Sequence, residues 1–214
     1  MKVIATLGDY YHDEQRLKDC LEEVLQGLND VELAYVDRQH LIEVIMGDQP
    51  DLVILGAENR LNPQEDPVDS WLTEEDAQVL ADFVGNGGSF LAWHSGLASY
   101  DKITTFVNML GGYFLYHPAA HQIVTYRYQN HFLFDRQRDN FKIKDEHYFM
   151  KYQEDIDIFL RSDSVDGESI AGWTRNHGEG RVACYAPAHL VEGLEHQLVK
   201  EDLDQLIQWC LGLK

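Results

Sequence analysis

A histidine ends an apolar, strand-like run, at the kind of strand-to-helix turn where enzymes often carry a Ser or Cys nucleophile. The run GGSFLAWHSG rises from glycines to His94 and turns at Ser95 and Gly96. An imidazole titrates near neutral pH, so His94 can act as a general acid or base, or as a metal ligand. The positive dipole end of the helix expected after it favours a neutral ring. Ser95 is a nucleophile candidate one position late, and a helix cap is its simpler interpretation.

Three more histidines and a glutamate also follow apolar segments: His12 in GDYYHD, His117 in YFLYHP, His189 in CYAPAH and Glu146 in KDEHY. Open α/β sheets bind ligands beyond the carboxyl ends of their strands, so these residues share one crevice if the strand order allows it. His94 would then transfer protons with Glu146 or His189 as partner, and His12 completes the candidate catalytic set. Alternatively, His12, His94, His117 and His189 are candidate metal ligands. Three imidazoles and a carboxylate suit zinc with a water in an open position.

Each candidate also has a plain structural interpretation. His12 can bond a loop at the entry to a helix, and His117, which precedes a proline, can be a turn residue. Glu146 can pair with a surface cation, with Asp145 and His147 beside it expected in solvent. None of these residues is therefore assigned to chemistry by its position alone.

Aromatic residues concentrate near the histidines, which is compatible with a sugar ligand. The candidate substrate contacts are Tyr11, Trp93, Tyr148, His117 and Ser95. An aromatic ring can stack on the apolar face of a sugar while polar groups bind its rim. In the simpler interpretation many of these aromatic residues belong to the core.

Alternating strand and helix patterns indicate the elements that position these residues. The runs KVIATLG, VELAYV, PDLVILGA and SFLAWH predict buried strands, and amphipathic helices separate them, two of which Asp13 and Thr73 can cap. ENRLNPQEDPVDSW is expected as a surface loop, and ASYDKITTFVNMLGG as the helix after the His94 turn. This order predicts an α/β fold with a doubly wound, mostly parallel sheet and helices on both faces.

The alternation of strand and helix patterns ends after Gly112. HQIVTYRYQ, HFLFD and FKIKDEHYF predict strands without helices between them. SIAGWTRNHGEGRVACYAPA predicts a hairpin that turns at Gly178 and Gly180. The C-terminal half is therefore expected to add antiparallel strands to the sheet.

Composition excludes several classes of partner. The 214 residues fit a single domain, residues 1–214, and the net charge of −20 argues against nucleic acid and anionic membranes as partners. Three scattered cysteines argue against a disulfide framework, and none lies at a strand-to-helix turn. With no signal peptide or spanning segment in the sequence, the expected location is the cytoplasm. Formation of a homo-oligomer is left open.

Four ordered segments resemble the trehalose-utilisation (ThuA-like) family of the class I glutamine amidotransferase-like superfamily. They are LGDYYHDE, GGSFLAWHSG, LGGYFLYHP, and DEHY followed by IAGWTRNHGEGRVACYAPAH. The resemblance implies a flavodoxin-like sheet of the amidotransferase type, in which His94 stands where amidotransferases have Cys. The chain departs from the family pattern at PAH, where Gly-His is usual, and at DYYHD, where a second glycine is usual.

A histidine at this turn cannot repeat thiolate chemistry, so glutaminase and cysteine peptidase activities are excluded. The leading hypothesis, which follows mainly from the resemblance, is an isomerase or hydrolase type of enzyme that processes a sugar or keto-sugar by His/Glu proton transfer or hydrolysis. The alternative is a non-catalytic ligand-binding or scaffolding domain that has lost the Cys-His-Glu triad. A metal-dependent hydrolase is the third option, with no cofactor established beyond a candidate divalent metal such as zinc.

Overall fold

The computed structural model describes residues 1–134 and 138–214, and its centre is a nine-stranded sheet. In chain order the strands of this sheet are β1 (Lys2–Leu7), β2 (Glu32–Tyr35), β3 (Leu52–Gly56), β4 (Ser89–Trp93), β6 (Gln122–Tyr128), β7 (Phe141–Asp145), β9 (Asp157–Ser164), β10 (Gly167–His177) and β11 (Gly180–Tyr185). A separate antiparallel pair joins β5 (Gly112–Tyr116) to β8 (Phe149–Tyr152).

The order across the large sheet is β2-β1-β3-β4-β11-β10-β9-β6-β7. The first five of these strands are parallel, and every pairing from β11 to β7 is antiparallel. Strands β3 and β4 are buried along their whole length, as expected for parallel strands that helices cover on both faces. The predicted α/β fold with a mostly parallel N-terminal half and antiparallel C-terminal strands is confirmed.

Helices cover both faces of the sheet. They are α1 (Glu14–Leu25), α2 (Leu41–Asp48), α3 (Glu74–Gly85), α4 (Thr104–Leu110), α5 (Val191–Leu194) and α6 (Gln197–Cys210). Helix α1 packs with α5 and α6, whereas α3 packs with α2 and α4. The predicted caps are present, because Asp13 accepts the Arg16 amide and Thr73 forms a capping box with Asp76.

Three sequence predictions require correction. The helix expected over residues 98–112 is confined to α4, and a 3₁₀ turn, His94–Leu97, follows β4 directly. In the predicted HFLFD strand, residues 131–134 form no strand, residues 132–134 are bends, and Asp135 lies outside the described residues. FKIKDEHYF is not one strand, because β7 ends at Asp145 and β8 begins at Phe149. In the described part of the chain, no helix has the length and apolarity needed to cross a membrane.

Candidate metal centre

Four side chains meet at the carboxyl edge of the parallel strands. His12 follows β1, His94 follows β4, His189 follows β11, and Glu146 follows β7, which lies at the far edge of the sheet. One ligand atom from each of the four lies within 4.8 Å of the others. The four side chains therefore converge as the sequence predicts, and we refer to the space beside them as the crevice. The chemical roles of these residues remain predictions.

The separations of these ligand atoms are short. His189 Nδ1 lies 3.0 Å from His12 Nε2 and 3.3 Å from His94 Nε2. Glu146 Oε2 lies 3.3 Å from His189 Nδ1 and 3.6 Å from His94 Nε2. Zinc bonds of about 2.0–2.1 Å place neighbouring ligand atoms of a tetrahedron about 3.3–3.4 Å apart. Four of the six separations therefore lie near the value expected around a bound first-row metal ion, and all six are within 4.8 Å.

Two of the imidazoles are held in one tautomer by groups behind them. His12 Nδ1 donates to the Asp9 carboxylate at 2.6 Å, and His94 Nδ1 donates to the Ala186 carbonyl at 2.7 Å. Both Nε2 atoms therefore point into the cluster, as in metal sites where a carboxylate or carbonyl orients each histidine. When both rings are neutral, the Nε2 atoms of His12 and His94 each direct a lone pair toward His189 Nδ1. A proton on His189 Nδ1 can bond to only one of these lone pairs.

Close packing of acidic and basic groups shifts the pKa of each. Burial acts to lower the pKa of His94, but Glu146 and Asp145 outweigh it and raise the value. Burial acts to raise the pKa of Glu146, but the neighbouring His94 imidazole lowers it to about 2. The pKa of His189 falls to about 3, because burial and the charge of His94 both disfavour its protonation. A 3₁₀ turn follows β4 where the sequence predicts a helix N-terminus, so the helix-dipole argument for a neutral His94 does not apply.

Asp145 is buried and holds the segment that carries His189. Its carboxylate accepts the Ala188 and His189 backbone amides at 2.8 Å each, and the Tyr126 hydroxyl at 2.8 Å. His147 is also buried, between the hydroxyls of Ser162 and Ser164. The expectation that Asp145 and His147 lie in solvent is therefore wrong, because each has hydrogen-bond partners inside the fold.

His117 lies at the mouth of the crevice rather than in the four-residue group. Its Nε2 is 3.7 Å from Glu146 Oε1. His121, which the sequence analysis does not identify, occupies an equivalent place at 3.7 Å from the same oxygen. Both imidazoles are about one-third exposed, at 35% and 33%.

The predicted substrate contacts fall into two groups. Tyr148 is buried and stacks on His94, with ring centroids 4.5 Å apart, whereas Tyr11, the residue before His12, is exposed. Trp93 is fully buried and donates its indole N–H to the Pro187 carbonyl, so packing replaces the predicted sugar contact. Ser95 is buried inside the 3₁₀ turn and caps no helix, contrary to the simpler interpretation of this residue.

Several supporting residues escape the sequence analysis. Asp9 is the clearest, since its position three residues before His12 already suits a carboxylate–imidazole pair. Glu58 lies in the segment expected as a surface loop, yet it is 2% exposed and pairs with Arg60. Asn59 is buried with it, and its side-chain oxygen accepts the Leu72 amide. Folding of the ENRLNPQEDPVDSW loop over the strand ends buries these polar groups, and composition alone does not reveal it.

The chain is therefore a doubly wound α/β domain. It carries an imidazole–carboxylate cluster at the carboxyl edge of its sheet, and a histidine at the turn after β4. The chain belongs to the ThuA family, described as "Trehalose utilisation", whose model matches residues 14–210. This confirms the resemblance seen in the four ordered segments. A comparison with curated proteins finds no match.

Solved structures share the fold at low sequence identity. A ThuA-like protein from Parabacteroides merdae ATCC 43184 is 15% identical, with a TM-score of 0.76, and the match covers 100% of this chain and 91% of that one. A protein from Salmonella typhimurium LT2 described as cytoplasmic is 12% identical, with a TM-score of 0.66, over 98% of this chain and 99% of that one. A β-galactosidase from Rahnella sp. R3 is 12% identical, with a TM-score of 0.65, over 97% of this chain but 31% of its own length.

Proposed function

We propose that this protein binds a divalent first-row metal ion such as zinc through His12, His94, Glu146 and His189, and processes a sugar or oxidised sugar beside it. The observation that carries the proposal is the convergence of four ligand atoms within 4.8 Å of one another. Imidazole nitrogen and carboxylate oxygen are ligands that zinc accepts.

The tautomers support a cation rather than a hydrogen-bonded cluster of neutral rings. Asp9 and Ala186 hold the Nδ1 protons of His12 and His94, so the two Nε2 lone pairs point at the same space. A cation there satisfies both lone pairs together with His189 and Glu146. Asp9 also fixes the ring orientation of His12 as a ligand.

A bound ion would polarise a substrate carbonyl or hydroxyl, or lower the pKa of a water. His12 and His94 would hold their lone pairs toward it, because their outer nitrogens are already bonded within the fold. Glu146 Oε2 faces the same point, whereas Glu146 Oε1 faces the crevice mouth between His117 and His121. Substrate would enter from that side, since these two imidazoles are the exposed ones.

The sugar ligand is supported by the family description, "Trehalose utilisation", and by the polar groups at the crevice. Within residues 1–134 and 138–214 the hydroxyl of the buried Tyr148, whose ring lies against His94, has no hydrogen-bond partner, and the ring of Tyr11, the residue before His12, is exposed. Phenol groups of this kind bind carbohydrate through both ring and hydroxyl. We also propose a cytoplasmic location, which is supported by the three free, buried cysteines and by the Salmonella protein described as cytoplasmic.

A second candidate is metal-free proton transfer between His94 and Glu146. The specific observation in its favour is the 3.6 Å separation of His94 Nε2 and Glu146 Oε2 beside an open crevice. One water or substrate hydroxyl could connect such a pair to a reacting atom. The two candidates differ in one measurable property, which is the need for a metal ion.

The test starts from chelator-treated protein loaded with Zn²⁺, Co²⁺, Mn²⁺ or Ni²⁺. We expect one ion per chain and a raised melting temperature, and we expect His94→Ala and His189→Ala to lose the ion. His40→Ala, at an exposed 3₁₀ position, is the matched control. The metal-loaded protein is then screened against mono- and disaccharides and keto-sugars for binding and turnover.

The outcomes separate the candidates. Turnover that survives chelation would replace the metal centre by His94–Glu146 proton transfer. Sugar binding without turnover in any metal form would leave a non-catalytic binding domain. Absence of stoichiometric metal, together with an unchanged melting temperature in every ion, would end the metal proposal.

A further inference from the structure

The two oxygens of Glu146 face different surroundings. Oε2 lies against the buried nitrogens of His94 and His189, at 3.6 and 3.3 Å. Oε1 lies 3.7 Å from His117 Nε2 and 3.7 Å from His121 Nε2, both at the crevice mouth. One carboxylate therefore joins the candidate metal centre to a second, more exposed group of polar atoms.

The segment between β5 and β6 supplies both exposed imidazoles. His117 immediately follows β5, and His121 immediately precedes β6. The ring of His121 also packs beside His189, with centroids 5.0 Å apart. Two different strand ends thus place imidazole nitrogens on either side of a single carboxylate oxygen.

Hydrogen bonding leaves this outer group incomplete. His117 Nδ1 donates to the Pro118 carbonyl at 2.8 Å, so in the neutral ring Nε2 carries a lone pair. Glu146 Oε1 is also an acceptor, and a separation of 3.7 Å is too long for a direct bond. His121 has no hydrogen-bond partner on either nitrogen within the described part of the chain. His117 Nε2 and Glu146 Oε1 are both acceptors, so each needs a donor of its own, whereas His121 can donate from its free nitrogen.

We infer that Glu146 Oε1, His117 and His121 form a site for two adjacent hydroxyl groups, and hence that the substrate carries a vicinal diol next to its metal-facing atom. One hydroxyl would donate its proton to the His117 Nε2 lone pair. The other would donate its proton to Glu146 Oε1 and accept the N–H of His121 Nε2. A sugar ring presents such pairs of hydroxyls, so the inference rests on the proposed function and narrows its substrate class.

A second metal ion is the competing occupant of this outer group. The four ligands of the candidate centre are 12% exposed or less in their side chains, whereas His117 and His121 are about one-third exposed. Among the described residues, the close group of ligand atoms contains His12, His94, Glu146 and His189 and excludes both outer histidines. Exposure and spacing therefore favour hydroxyl binding over metal binding here.

The experiment uses the zinc-loaded full chain with methyl α-D-glucoside and its 2-deoxy and 3-deoxy analogues as probes. We expect His117→Ala and His121→Ala each to weaken glucoside binding about tenfold, the worth of one hydrogen bond. Zinc content should stay at one ion per chain in both variants. His121→Gln, which keeps a hydrogen-bonding group, should recover part of the lost affinity, and His40→Ala is the matched control.

Deoxy analogues complete a double-mutant cycle. Removal of the hydroxyl that His121 binds should weaken binding to the wild type about tenfold and should cost nothing further in His121→Ala. The inference is overturned if both alanine variants bind the glucoside normally, if either variant loses zinc, or if the wild type binds no diol-bearing probe. Failure of the proposed metal centre gives a different result. In that case His94→Ala and the wild type have the same zinc content.

Discussion

The Asp145 carboxylate accepts the backbone amide of His189 at 2.8 Å, across 44 residues of sequence. The next residue, Glu146, faces the His189 side chain at 3.3 Å between Oε2 and Nδ1. Two consecutive acidic residues at the end of β7 therefore fix both the backbone and the ring of one histidine. These contacts connect the end of the edge strand β7 to the His189 segment of the candidate site.

Asp145→Asn should weaken metal binding without removing a ligand. Each oxygen of Asp145 accepts two hydrogen bonds. In either orientation, the NH₂ group of an asparagine would therefore face two donors and could accept from neither. We expect the free energy of unfolding to fall by about 1–3 kcal/mol and zinc to bind less tightly. Urea denaturation and competition with a chromogenic chelator measure the two effects. The exposed Asp101→Asn is the control, and unchanged zinc affinity in Asp145→Asn would contradict the positioning role.

Asp9→Asn tests the group behind His12. The Asp9 carboxylate accepts the His12 Nδ1 proton at 2.6 Å, and His12 lowers the pKa of Asp9 despite its burial. Partners of this kind typically change metal affinity 10–100-fold when replaced. We expect a loss of zinc affinity in that range, measured by competitive titration, while the exposed Asp19→Asn binds zinc normally. Equal affinities for the two variants would mean that Asp9 does not orient a metal ligand.

The sequence predicts the parallel half of the fold because the signals for these strands and helices lie within short segments of the chain. The apolar runs that become β1, β3 and β4, and the caps at Asp13 and Thr73, are readable within a few residues. The order of the remaining strands depends on pairings between distant segments. Strand β11 inserts between β4 and β10, and this long-range choice places His189 beside His94.

For the candidate site, too, the sequence predicts the local position of each residue but not the contacts between distant segments. His12, His94, His189 and Glu146 each end an apolar segment, so their place at a strand edge follows from the sequence. Their convergence does not, because Glu146 follows an antiparallel edge strand, and hydrogen bonds from Asp145 connect the end of that strand to the His189 segment. His121 is missed because the sequence pattern includes it in the predicted strand HQIVTYRYQ, whereas β6 begins one residue later, at Gln122.

Gly96→Ala should disrupt the turn that presents His94. A Cβ at this position would lie 2.0 Å from the carbonyl oxygen of Leu55 in β3, and His94 itself has a left-handed φ of 46°. Rigid backbone cannot yield to this overlap as a side chain can, so we expect a loss of about 3 kcal/mol or more in unfolding free energy. Gly47→Ala in α2 meets nothing within 4 Å and should be neutral or stabilising. Thermal denaturation of both variants checks the contrast, which would fail if Gly96→Ala melted with the wild type.

A buried acidic network lies away from the candidate site, on α6. Asp202 is fully buried and accepts the hydroxyls of Tyr128 and Tyr185, and Arg138 lies 3.2 Å from it. Burial raises the pKa of Asp202 to about 7, in spite of Arg138 and the two hydroxyls, which lower it. The folded protein therefore holds a proton here that the unfolded chain has released by pH 5.

Asp202→Asn should make the protein relatively more stable as the pH rises. Between pH 4 and pH 7 the folded wild type binds the Asp202 proton more tightly than the unfolded chain does, so its unfolding free energy decreases toward neutral pH. The decrease from this group is at most about 1.4 kcal/mol for each pH unit. The amide cannot ionise, so the stability difference, variant minus wild type, should grow in favour of the variant from pH 5 to pH 8. Urea denaturation at the two pH values measures it, with the exposed Glu168→Gln as the control. A difference that stays constant across this range would show that Asp202 ionises as readily in the folded protein as in the unfolded chain.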